Sequence, residues 1–383
     1  MGVDTFKYGS DLIGYAVAES TFKTAVKPAA ANAFRAVEIT MGMPVNRILM
    51  NDRRGTRSAM ETVSGRTPVQ PWSARGYLRP SGSAGTAPDF GDIWKHALGT
   101  EAVVGGTSVT YSLLKDPTAL SLSVYRDLGT FFEGVYGAIV LDFSLTWNGE
   151  GPIEWSVSGI GAGFTECGST LANGAGAAAS ALVVDDADFF EKYAIVQIGG
   201  DDNSGAGFQV TAVDKATETL TLETTHTWSD NDAVAPFLPT GSFAGSPLVG
   251  TVGSLSLDNG STTVNHVGGT LQISTGLDLL NEEFGSSEAN DILANAVREV
   301  TGNFDFLVRE DETYLASEFR RKVQKDVLLT FGDTAGDRLK VNMNTVELEP
   351  QQRTSPEAEA VRYSANFRAL GSSGEDEVTL VFD

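Results

Sequence analysis

The chain holds one cysteine, three histidines and no long apolar run. A lone Cys167 cannot close an internal disulfide, so it is expected to be a buried, inert thiol, and the chain to suit a reducing compartment. His96, His226 and His266 are far apart, with no Cys or His at ligand spacing, which argues against a zinc site. No stretch approaches the ~20 apolar residues of a membrane helix, so no membrane anchor is expected. The first residues lack the basic and apolar regions of a signal peptide, and the myristoylation pattern fails after Met1-Gly2. Phosphate-binding GxxxxGK[ST] is absent. "GIGAGF" at 159–164 follows a strand, but no helix with an acidic partner comes after it. "DDNSGAG" at 201–207 lacks the distal Glu of a calcium loop. Carboxylates are so abundant that a glycosidase-like pair carries no information. No cofactor and no enzymatic activity are expected.

The composition is globular: 383 residues, 41% hydrophobic and 20% charged. Gly is abundant, at 42 residues, and Thr, Ser and Val are common, which favours an all-β chain with many turns. The net charge of -23 is uneven. Residues 168–244 hold 2 basic and 11 acidic side chains, and residues 245–383 hold 11 and 23. Such a surface disfavours tight nucleic-acid binding, which needs clustered Lys and Arg.

A Gly/Ala tract at 168–183 reads as a linker. After it, "YAIVQI", "FQVTAV" and "TLTLE" are separated by hairpin turn signals and read as a small acidic β domain ending near residue 244. The flanking parts, 1–167 and 245–383, share one order of elements: strands, a short helix, a strand and a final strand pair. That order reads as an internal duplication around an insert. The helices fall at "PDFGDIWKHALG" and "DETYLASEFRRKV", with acids at the start and a Gly stop or basic residues at the end.

The strand pairs alternate, giving each a core face and a wet face. Asp142, Ser144 and Thr146 oppose Phe143, Leu145 and Trp147, and Glu154, Ser156 and Ser158 oppose Trp155 and Val157. Glu299, Thr301, Asn303 and Asp305 oppose Val300, Phe304 and Phe306. Lys340, Asn342 and Asn344 oppose Leu339, Val341 and Met343, while Arg362, Ser364, Asn366 and Arg368 oppose Tyr363, Ala365 and Phe367. Long strands with open edges invite pairing between chains, and closing them across subunits removes the edges.

The segments "YGAIVLDFSLTW…EWSVSGIG", "VREVTGNFDFLVREDETYLASEF" and "KVNMNTVELEPQQRTSPEAEAVRYSANFRALG" resemble the major tail proteins of long-tailed phages, the subunits of the tail tube. The resemblance covers both flanking parts but not the insert, and rests on layout rather than signature residues. It implies a mainly β chain: two tandem tail-tube-type β-sandwich/barrel folds, each with a short flanking helix, plus an inserted β domain on the outer surface. It further implies a homotrimeric ring with pseudo-sixfold symmetry, a homohexamer being the alternative, and rings stacked into a tube within a virion assembled in the host cytoplasm. The wet faces named above would line the lumen. Tape-measure protein and phage DNA would occupy that lumen, with tail terminator and distal tail proteins at the ends.

Two further expectations concern loops. Arg53, Arg54, Arg57 and Arg66 lie in a stretch, 51–80, that reads as a basic arm, and Glu282, Glu283 and Glu288 lie in an acidic loop. Opposite patches of this kind register association, here between stacked rings. Deleting residues 175–240 is expected to leave assembly intact. A carbohydrate- or receptor-binding β protein using the insert, and a β-rich hydrolase, are the rival readings.

Overall fold

The computed structural model describes residues 13–50, 58, 61–116, 121–258, 260, 262–308, 315–354 and 360–383. The chain is mainly β, built of large antiparallel sheets with a half-barrel character.

Eight strands form one antiparallel wall: β1 (Glu38–Met41), β2 (Gln70–Tyr77), β3 (Phe132–Asn148), β4 (Glu154–Gly161), β5 (His266–Ser274), β6 (Glu299–Leu307), β7 (Leu339–Thr354) and β8 (Arg362–Ala369). Their order across the wall is β1-β2-β4-β3-β5-β6-β8-β7. The first four strands and the last four thus repeat one order side by side, joined by the β3–β5 ladder from Asp142↔Ser274 to Asn148↔Gly268. Between β1 and β2 a loop carries the hairpin Arg47–Leu49/Thr62–Ser64, and between β5 and β6 a loop carries the hairpin Leu277–Leu280/Asp291–Ala294. Helix α1 (Gly91–Leu98) falls between β2 and β3, and α2 (Leu315–Arg320) between β6 and β7.

β3 and β7 are long because each belongs to two sheets. The first part of β3 pairs with Leu122–Asp127 and Gly163–Cys167, and register shifts then carry it into the wall. Gly137, at φ 58, lies in this passage, where its N–H donates to the buried carboxylate of Glu19 at 2.8 Å. Glu19 also accepts from Ser121, Ser123 and the Lys23 N–H, yet burial still pushes its carboxyl up from the ordinary value. The first half of β7 pairs with Lys325–Phe331 and Thr379–Phe382, and only its second half, from Val346, lies beside β8.

The apolar face of the wall packs on a second sheet containing Ser108–Leu113, Thr379–Phe382 and Lys325–Phe331, with α1 wedged between. Asp92 in the first turn of α1 and Lys95 in the last suit the helix dipole. Gly99 ends the helix at φ 135, where a Cβ would sit 2.4 Å from Leu114. Trp94, fully buried, has its ring 5.0 Å from Phe143 of the wall and 5.3 Å from Phe382 of the second sheet. Each such aromatic pair adds about 0.5–1.5 kcal/mol beyond its burial.

Between Thr170 and Pro236 the chain makes a separate six-stranded sheet. The tract read as a linker is partly a strand, Gly176–Val183, paired with Thr219–Trp228. Its small residues serve packing: a Cβ at Gly176 would sit 2.4 Å from the Trp228 indole. Nor is this sheet's core its own. Tyr15, Tyr125, Phe132 and Cys167 from the preceding part are buried in it, and Tyr15 Oη donates to Pro239 O at 2.6 Å.

Candidate functional site: the polar face of the wall

Because side chains alternate along a strand, packing one face of the wall leaves the other polar. Following the ladders gives a row that crosses all eight strands: Glu38, Arg75, Ser156, Ser144, Gln272, Thr301, Arg368 and Glu347. A parallel row runs Thr40, Ser73, Ser158, Asp142, Ser274 and Glu299. On the other side lie Glu154, Thr146, Thr270, Asn303, Asn366 and Glu349. The face is concave, with hollows of about 700 Å³ over the first four strands and about 610 Å³ over the last four. Gln272 and Thr301 line both.

Of the residues singled out from sequence, Asp142, Ser144, Thr146, Glu154, Ser156, Ser158, Glu299, Thr301, Asn303, Asp305, Arg362, Ser364, Asn366 and Arg368 share this face. Lys340, Asn342 and Asn344 do not. Lys340 and Asn342 sit in the half of β7 that pairs with the second sheet, and Lys340 Nζ bonds Asp383 at 2.6 Å. A register shift between Lys325↔Val346 and Val327↔Met343 bulges β7 at Asn344 and Thr345. One extra residue reverses which side chains face the core. Past it Val346 and Leu348 are buried, and Glu347 and Glu349 take the polar face. Those two glutamates, with Glu38, Ser73 and Arg75, escaped the reading from sequence. "QPWSARGY" does alternate, but it lies inside the stretch read as a basic arm.

The chemistry of this face is that of a wetted surface. Ser144 and Ser156 share a hydrogen bond of 2.7 Å across β3 and β4, Thr270 donates to Asn303 at 2.6 Å, and Ser364 donates to Asp305. Two of its guanidiniums stand beside acids: Arg75 Nε lies 2.9 Å from Glu38, and Arg368 lies 3.6 Å from Glu299. These pairs are about half exposed and contribute at most ~1 kcal/mol each. Their effect is to cancel the positive charge that would hold a phosphate. Among the described residues no three His, Cys, Asp or Glu side chains converge as a metal site would require. At Asp201–Gly207 the carboxylates turn to their own backbone, Asp201 accepting from Asn203 N at 2.8 Å. His96 is buried in α1 against Asp92 O at 2.7 Å, and burial holds its imidazole down at about 4.

The two charged loops meet within one chain. The Arg66 guanidinium donates to Glu283 O, Thr67 N to Ser287 O at 2.8 Å, and Lys23 pairs with Glu288 at 2.5 Å. Arg66, Glu283 and Glu288 thus each have a partner within the chain, and Glu282 and Glu283 are exposed. Arg53, Arg54 and Arg57 lie outside the described residues.

No protein-family model matches this chain, and no curated protein matches its sequence.

Proposed function

We propose that the chain is a structural subunit of a phage tail tube, its wall curving round a channel through which DNA passes. The observation that carries this reading is the repeated strand order. β3, last in the first four, pairs with β5, first in the second four. The same step applied once more pairs β7 of one copy with β1 of the next. β1 has β2 on one side and no described strand on the other, and β7 beyond Val346 has β8 on one side and none on the other. One carbonyl of the β1 edge, Ile39 O, is held meanwhile by Arg126 at 3.0 Å. Exposed edges of this kind are templates for another chain.

Three copies supply six four-stranded units, hence ~24 strands. At ~4.8 Å spacing and ~40° tilt the backbone cylinder is about 48 Å across. Side chains reduce the bore to about 35 Å, wide enough for a nucleic-acid duplex. An acidic, ion-paired lining repels phosphates over a screening distance of ~10 Å, so DNA slides rather than sticks. In this reading the protein works in the virion, the lumen holds tape-measure protein before DNA, and the insert stands on the outside.

Sedimentation and negative-stain microscopy of the purified full chain test the proposal. Three-copy rings or stacked tubes with a central hole are expected. A chain that stays monomeric at every concentration, up to those at which tubes would form, refutes it.

A further inference from the structure

The two loops that interrupt the repeated units differ in one respect. The Leu277–Leu280/Asp291–Ala294 hairpin of the second unit folds back on the first. Leu277, Leu279 and Ile292 are buried against Ile139 and Ala162, where β3 enters the wall and β4 leaves it, and Val69 at the foot of β2 packs against the same cluster. The corresponding hairpin of the first unit, Arg47–Leu49/Thr62–Ser64, is not buried against any of the described residues: every residue of both its strands is exposed. Seven large apolar side chains exposed among the described residues fall between Val37 and Val63, including Val45, Ile48, Leu49, Met50 and Val63. Clusters of this kind mark interaction surfaces.

The foot of β6 shows the reciprocal difference. Val69 precedes β2 and is partly covered by the second unit's hairpin, whereas Val297 precedes β6 and is 86% exposed. A covered site and an uncovered one, a docked hairpin and an undocked one, stand in the same relation.

We infer that the Arg47–Leu49/Thr62–Ser64 hairpin docks on the second unit of a neighbouring copy of this chain, over Val297 and the end of β8. It would repeat between copies what the Leu277–Leu280/Asp291–Ala294 hairpin does within one. The geometry cannot be satisfied internally, because the hairpin sits beside β1, at the opposite end of the wall from β7 and β8. Charge agrees: residues 42–69 hold five Arg against Asp52 and Glu61, whereas 245–383 hold 11 basic and 23 acidic side chains. This inference rests on the ring reading and assigns its lateral clasp.

The test uses full-length chains carrying one accessible thiol each. Native Cys167 is fully buried and its thiol pushed well above the ordinary value, so it does not compete. Ile48→Cys and Val297→Cys chains are mixed, allowed to assemble and treated with a thiol–thiol cross-linker. A covalent dimer is expected from the mixture and from neither variant alone. In parallel, Ile48→Asp/Leu49→Asp, which changes only exposed side chains, should raise the ring dissociation constant at least ~30-fold. Rings that form without cross-linked dimer, and with unchanged affinity in the Asp variant, overturn the clasp but leave the ring standing. A native chain that never assembles overturns both.

Discussion

Trp94 offers the sharpest test of how the wall is held. Its indole is fully buried between Phe143 of the wall and Phe382 of the second sheet, with Phe90 at 4.8 Å and Tyr111 at 6.1 Å. Removing it to Ala forfeits the transfer energy of a large aromatic and leaves a cavity, together about 3–5 kcal/mol. One term opposes this. The Trp94 Nε1–H has no hydrogen-bond partner among the described residues, and relieving a buried unsatisfied donor returns about 1–3 kcal/mol. From the midpoints of the two ranges, Trp94→Ala should therefore cost about 2 kcal/mol net, and at most about 4 kcal/mol. Trp94→Phe keeps most of the apolar contact and removes the orphan donor, so its cost should stay below ~1.5 kcal/mol. Urea unfolding at low protein concentration, followed by far-UV circular dichroism, measures both. If Trp94→Phe is as damaging as Trp94→Ala, the indole N–H is satisfied in solution and the packing argument is wrong.

Two further outcomes follow from the buried groups. His96 is neutral in the fold, with its imidazole held at about 4 against about 6.5 when unfolded. Because the folded value is the lower one, its contribution is complete above pH ~6.5 and is lost progressively as pH falls to ~4. At pH 5 the loss is about 2 kcal/mol. His96→Gln removes this titration, so the stability difference between the two proteins should change by about that amount between pH 7.5 and 5; a constant difference would refute it. Deleting residues 175–240 uncovers Tyr15, Tyr125, Phe132 and Cys167, so calorimetry should show a melting temperature several degrees lower even where rings still form. An unchanged melting temperature would mean the insert shares no core with its neighbours.

Much of the architecture was legible because alternation is a local signal. Strands β3, β4, β6 and β8 alternate strictly through the wall, and α1, Gly91–Leu98, begins just after its sequence marks Pro88 and Asp89 and ends at Gly99. What stayed hidden depended on single-residue irregularities or on distant partners. The bulge at Asn344 and Thr345 inverts the facing of β7, so a period read from Leu339 misplaces Lys340 and Asn342 and misses Glu347 and Glu349. The 176–183 strand is nearly all Gly, Ala and Ser, and only Trp228 across the ladder explains why such residues are needed. The pairing of Arg66 with Glu283 spans more than two hundred residues and leaves no local trace.

Tying two staves into one polypeptide has a consequence for how such a cylinder would evolve. In the proposed ring half of the seams would be made at translation, at the effective concentration a covalent tether confers, and half on encounter. The first kind could then be tight while the second stayed loose enough to correct mistakes. Since only one stave of each pair bears the extra module, the exterior would carry threefold ornament on a bore that stays nearly sixfold.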